Sequence, residues 1–174
     1  MNELVVVTGL PRSGTSLLMS MLQAGGLELV SDGGRPADQH NPRGYFEAGT
    51  WSEADSGGKA VKLLDRQLEK ADLQGPVRVL LLERDLTEVA ASQQKMLGQP
   101  PDGRDWPELL SRELHRFKGW LAGRGWPVWR VEHRRLIHQP QEVARELQTF
   151  LGRPLDLKAM AGQVDPALYR NRQC

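Results

Sequence analysis

The sequence predicts an α/β fold in three layers, a central and mostly parallel sheet flanked by helices. Short runs of valine and leucine recur along the chain, at Leu4 to Thr8, Val77 to Leu82 and Val128 to Val131. Stretches with apolar residues at helical spacing alternate with them, and glycine or proline closes most of these stretches. Strands that alternate with helices imply crossover connections, hence parallel pairing and a ligand site at the carboxyl ends of the strands.

The elements follow in order. Leu4 to Thr8 is a β-branched run suited to a strand buried on both faces. Gly14 to Ala24 places Leu17, Leu18, Met21 and Leu22 on one helical face, and Gly25-Gly26 stops it. Ser31 to Gly58 is rich in Gly, Asp, Pro and Asn and reads as loop with room for one short helix. Lys59 to Leu64 and Val77 to Leu82 read as strands. Asp85 to Leu97 carries Leu86, Val89, Ala90 and Met96 at helical spacing and ends at Gly98-Gln99-Pro100-Pro101. Trp106 to Leu121 reads as a helix, Val128 to Val131 as a strand, and Gln141 to Leu151 as a helix stopped by Gly152.

Composition narrows the function classes. A chain of 174 residues buries one core and hardly two, so 1–174 is expected to form a single domain. Lys and Arg total 23 against 22 Asp and Glu, so there is no general basic field for nucleic acid, and any anion site must be built locally. The longest apolar runs are a few residues, which predicts no membrane span; with no signal-peptide pattern at the start, a cytoplasmic protein is expected. Cys174 is the one cysteine, and His40, His115, His133 and His138 lack the spacing of zinc ligands, so neither disulfide nor metal is expected. There is no internal repeat.

The chemistry concentrates in residues 8 to 16, TGLPRSGTS. Gly9 and Gly14 sit between a strand and a helix, where they permit the tight turn that points amides and a helix N-terminus at an anion. Pro11 stiffens that turn. Arg12 adds a permanent charge with a fork of donors, and the hydroxyls of Ser13, Thr15 and Ser16 add neutral hydrogen bonds. Thr15 fills the position where a triphosphate-binding P-loop has its lysine. A triphosphate is thus a poor fit, and a single 5′-phosphate a good one.

The run Gly9-Leu10-Pro11-Arg12-Ser13-Gly14-Thr15-Ser16 resembles the 5′-phosphosulfate loop of the sulfotransferase superfamily, whose members have a P-loop-type fold and take 3′-phosphoadenosine 5′-phosphosulfate (PAPS) as donor, with the 3′,5′-bisphosphate (PAP) as product. Val79 to Asp85 with Val89-Ala90-Ala91-Ser92 is similar to the family's 3′-phosphate motif, an arginine ending a strand and a serine eight residues on, here Arg84 and Ser92. Asp85 and Ser92 are two helical turns apart, which puts Ser92 on the face of the strand exit that presents Arg84. Asn41-Pro42-Arg43-Gly44-Tyr45-Phe46-Glu47 resembles a segment of bacterial members, and Lys62 resembles the lysine kept near the transferred group. Leu136 to Pro140 with Phe150 to Pro154 resembles the family's closing strand-to-helix segment, and Val164 to Arg170 its bacterial tail. The chain departs from the pattern in Asp85-Leu86, where Asp-Pro is common, and in Arg134-Arg135, where an acidic pair is usual. It also lacks the Gly-rich basic loop that covers the 3′-phosphate in animal members, a role for which Arg170 or Arg172 is the expected substitute.

The resemblance implies sulfuryl transfer, without metal, to a hydroxyl or amine on a small molecule or glycan; a homodimer stays open. Arg12 and Lys62 are then the groups that stabilise charge on the departing phosphate, and the base is Glu47 or His40, with Glu47 preferred because some relatives use a glutamate. Trp51 and Trp106 are candidates to line the acceptor pocket, or else packing residues. Two other readings stand: a P-loop small-molecule kinase, with Glu83 as the acidic strand end that holds magnesium, and a non-catalytic nucleotide-binding protein of the same fold.

Overall fold

The computed structural model describes residues 3–31, 44–49, 51–53, 56–98 and 102–165. Among these, five parallel strands form one sheet: β1 (Leu4–Gly9), β2 (Leu29–Val30), β3 (Ala60–Lys62), β4 (Val77–Glu83) and β5 (Val128–Glu132), in the order β2-β3-β1-β4-β5. The helices are α1 (Thr15–Ala24), α2 (Asp65–Lys70), α3 (Leu86–Leu97), α4 (Trp106–Ala122), α5 (His133–His138), α6 (Pro140–Leu151) and α7 (Leu157–Ala161).

The pleat of the central strands sorts the core into two layers. Val5 and Val7 of β1 and Leu80 and Leu82 of β4 face α1, α6 and α7, where Leu18, Leu22, Val143, Leu147 and Met160 are buried. Leu4 and Val6, with Val79, Leu81 and Val61, face the opposite layer of Leu68, Phe117 and Leu121 from α2 and α4. Both faces of β1 are covered, which is why its sequence is a continuous apolar run rather than an alternating one. A smaller cluster, Leu10, Val89, Ala90 and Leu110 with Trp106 and Leu114 packed on it, ties α3 and α4 to the loop after β1.

The three-layer α/β fold expected from sequence is thus the observed one, with differences at its edges. The strand expected over Lys59 to Leu64 is shorter, and β2, α2, α5 and α7 were not anticipated. Between 31 and 58 the described residues contain no helix; instead Glu47 forms a single parallel bridge with Lys62. Leu136 and Ile137, expected in a closing strand-to-helix segment, lie inside α5, because β5 already ends at Glu132 and their side chains are buried from one helical turn.

The strand order positions the site. The connection from β1 leads toward β2 and β3, and that from β4 leads toward β5, so the chain departs in opposite directions from two neighbouring strands. Their carboxyl ends mark the topological switch point, the place at which open α/β sheets bind ligands.

Candidate functional site

The loop between β1 and α1 lies at that switch point. Gly9 has φ 152° and sits so close to β4 that a Cβ there would stand 2.6 Å from both the Leu82 carbonyl oxygen and Ser13 Oγ. Only glycine fits. The Ser13 amide donates to the Leu10 carbonyl at 3.1 Å, and Arg12 adopts a left-handed φ of 72°, a conformation that a side-chain-bearing residue holds only when its surroundings fix it.

Three contacts fix it. Arg12 Nε donates to Ser92 Oγ at 3.0 Å, Gln93 Nε2 donates to the Pro11 carbonyl at 3.0 Å, and Arg84 Nη1 donates to the Arg12 carbonyl at 3.2 Å. The first two come from α3, which Asp85 caps by accepting from the Thr87 and Glu88 amides. The Thr87 hydroxyl and these amides hold the Asp85 carboxyl below its ordinary range. The cap fixes where α3 starts, and seven residues on it delivers Ser92 over the loop.

Arg84 leaves the end of β4 and is mostly buried. Its Nε meets Glu88 Oε2 at 2.9 Å, one helical turn on, and Glu88 is buried as well. His133, at the start of α5, lies beside this pair and against Gly14, and burial followed by the Arg84 charge pushes its imidazole down to about 4. The ring is neutral at physiological pH.

On the other side of the loop, Lys62 ends β3 and is 4% exposed. Its Nζ donates to the Tyr45 carbonyl and lies 5.8 Å from the centre of the Tyr45 ring. Ser16 Oγ reaches the same carbonyl at 3.4 Å. The Glu47–Lys62 bridge and a bond from Ser31 Oγ to the Glu47 carbonyl lay this segment along β3. Glu47 is half-buried there.

The fold therefore gathers Pro11, Arg12, Ser13, Gly14, Thr15, Ser16, Lys62, Arg84, Ser92 and the backbone of Glu47 around the carboxyl ends of β1, β3 and β4. His40, Arg170 and Arg172 lie outside the described residues. Trp51 packs on the core beneath β3, and Trp106 packs on the α3–α4 cluster with its Nε1 on Asp102. Sequence reasoning missed Gln93, Glu88 and His133. The i,i+4 spacing of Arg84 and Glu88 was a readable signal for one of them; nothing local marks the other two.

The loop is suited to an anion. Ser13 Oγ is buried and, among the described residues, has no hydrogen-bond partner, which costs about 1–3 kcal/mol unless a ligand oxygen satisfies it. Gly14 offers α1 no side-chain cap, and while its carbonyl takes the Leu17 amide at 3.1 Å, the amides that open the helix at Thr15 and Ser16 are donors of the kind that suit an anion.

Among solved structures, the chain is similar to the sulfotransferase domain of the olefin synthase from Synechococcus PCC 7002, with a TM-score of 0.63 and 17% identity over 97% of this chain and 79% of that one. The two share a fold. A sugar kinase from Janibacter sp. HTCC2649, in its unliganded form, aligns with a TM-score of 0.43 and 15% identity over 95% of this chain and 99% of that one. No family model and no curated protein matches the chain. What the likeness to the sulfotransferase domain shows is the fold, a parallel α/β sheet flanked by helices. No described helix is long and apolar enough to cross a membrane.

Proposed function

We propose that the protein is a sulfotransferase that moves a sulfuryl group from PAPS to a hydroxyl or amine acceptor. The observation that carries this reading is the bond between Arg12 and Ser92, with Arg84 on the Arg12 carbonyl. Two motifs far apart in sequence, one resembling a 5′-phosphosulfate loop and the other a 3′-phosphate site, meet within one hydrogen bond. A nucleotide with an anionic group at each end of its ribose would use both motifs, whereas a nucleotide with a phosphate chain at one end does not need the second.

In the transfer, a lone pair of the acceptor oxygen or nitrogen forms a bond to sulfur as the bond from sulfur to the bridging oxygen of the 5′-phosphate breaks. That oxygen keeps the electron pair and leaves as part of PAP, and the acceptor proton passes to a base. Arg12 and Lys62 are assigned to the developing phosphate charge, Ser13, Thr15 and Ser16 with the loop amides to the 5′ end, and Arg84 and Ser92 to the 3′-phosphate. Glu47 is assigned the proton, with His40 as second candidate. Arg170 is assigned closure over the donor.

Glu83, the residue a kinase of this fold would offer to magnesium, is engaged by Lys118 of α4, and Thr15 stands where the kinase lysine would be. Both observations favour sulfuryl over phosphoryl transfer. The test is PAP release from PAPS with a panel of phenol, sugar and amine acceptors, with and without EDTA. Acceptor-dependent release that ignores the chelator is expected. Magnesium-dependent release of ADP from adenosine triphosphate with the same acceptors, and no PAP from PAPS, would move the assignment to a kinase, and PAP binding without turnover on any acceptor would move it to a nucleotide-binding protein.

A further inference from the structure

His133 has no part in the transfer described above, yet it supports the loop on which that transfer depends. It directly follows β5, is 7% exposed, and lies so close to α1 that a Cβ built on Gly14 would stand 2.5 Å from its Cδ2. Gly14 caps α1 at φ 107°, a conformation that L side chains rarely adopt, and the imidazole fills the volume its side chain would need. Arg84 and Glu88 are also near enough to act on its charge, and Arg84 in turn holds the Arg12 carbonyl. The ring thus connects the two halves of the site: it touches the loop at Gly14 and lies near the residue that anchors the loop at Arg12.

We propose that His133 is a positioning residue for the anion loop, a flat buried wedge that holds Gly14 and the N-terminus of α1 in the geometry that receives the donor's 5′ end. The proposal rests on the reading of this loop as the donor site. Interiors are close-packed, so removing the ring leaves space into which the loop relaxes. Displacement of binding groups by a fraction of an ångström to one ångström is enough to cost an order of magnitude or more in function.

The experiment compares wild type with His133→Ala, His133→Gln, Gly14→Ala and the Gly14→Ala/His133→Ala double variant. Amide hydrogen exchange is read for Ser13 to Ser16 against β4 as internal control, together with unfolding midpoints and calorimetric affinity for PAP. His133→Ala is expected to speed exchange in the loop while β4 is unchanged, and to weaken PAP by about tenfold or more. His133→Gln, which refills most of the volume without charge, is expected to restore both. Gly14→Ala should destabilise less in the His133→Ala background than in wild type, because the new methyl enters vacated space. Unchanged loop exchange in His133→Ala, or strictly additive midpoints in the double variant, would overturn the proposal. Exchange and additivity need no nucleotide, so a wild-type protein that ignores PAP would sink the donor reading and still leave the role of His133 decided.

Discussion

Arg12 Nε and Ser92 Oγ lie 3.0 Å apart although 80 positions separate them in sequence. The bond joins the loop after β1 to α3, so under the proposed donor reading Arg12 would serve the 5′ end of the nucleotide and also steady the hydroxyl proposed for its 3′ end. Arg12→Ala should therefore weaken both adenosine 5′-monophosphate and PAP, and PAP by the larger factor, so that the gap between them narrows. Ser92→Ala should narrow the gap and leave the monophosphate nearly unchanged. Calorimetry with the two ligands on both variants checks this, and an Arg12→Ala effect confined to one ligand would contradict it.

The second expectation concerns pH. His133 is held neutral in the folded chain, with its imidazole at about 4 against an ordinary 6.5. The unfolded chain takes up a proton there as pH falls below 6.5, whereas the folded chain does so only near 4. Stability from this group is full above 6.5 and is lost progressively between 6.5 and 4, with a slope of at most about 1.4 kcal/mol per pH unit. Urea unfolding of wild type and His133→Gln across that window checks it. The variant should give the flatter profile, and parallel profiles would be the contrary result.

Asp65 behaves in the opposite sense. It begins α2, is buried, and its carboxyl is raised from 3.8, first by burial and further by Glu113 of α4. The folded chain holds the proton more tightly than the unfolded one, so stability falls as pH rises through the raised value. Asp65→Asn, which keeps a donor toward Glu113 without the charge, should raise the unfolding midpoint at neutral pH and give no gain below about pH 3.5. A lower midpoint for the variant at neutral pH would be the contrary result.

Glu47 lies along β3 beside Lys62. If it takes the acceptor proton, Glu47→Gln should lower turnover by about a hundredfold or more and leave PAP affinity nearly intact. Steady-state kinetics beside calorimetry separate the two effects. Retained turnover there, with turnover lost in His40→Ala, would return the role to His40.

The sequence made the buried centre of this fold readable and left the periphery obscure. β1 and β4 are covered on both faces, so Val5-Val6-Val7 and Leu80-Leu81-Leu82 are continuous apolar runs with one interpretation. β2 is two residues long and half-buried, and α2 and α7 each bury one hydrophobic side chain, Leu68 and Met160, too little for a periodic signal. The site divides in the same way. Pro11 to Ser16 stood out as a candidate because the turn restricts Gly9 and Gly14 locally, and Arg84 with Ser92 through a resemblance with which the helical spacing agrees. That Arg12 would reach Ser92 was not readable, since it depends on α3 crossing the loop, and neither was His133, whose neighbour Gly14 comes from the far end of the chain.

The most direct measurement is the affinity of the wild-type protein for PAP against adenosine 5′-monophosphate, in EDTA, repeated on Arg84→Ala. Charged hydrogen bonds to an ionised group contribute roughly 1.5–3 kcal/mol each. A 3′-phosphate held by Arg84 and Ser92 should thus favour the bisphosphate by about one to three powers of ten. Arg84→Ala should lose most of that preference. Equal affinity of the wild-type protein for the two nucleotides would contradict the 3′-phosphate site and the assignment of PAPS as donor.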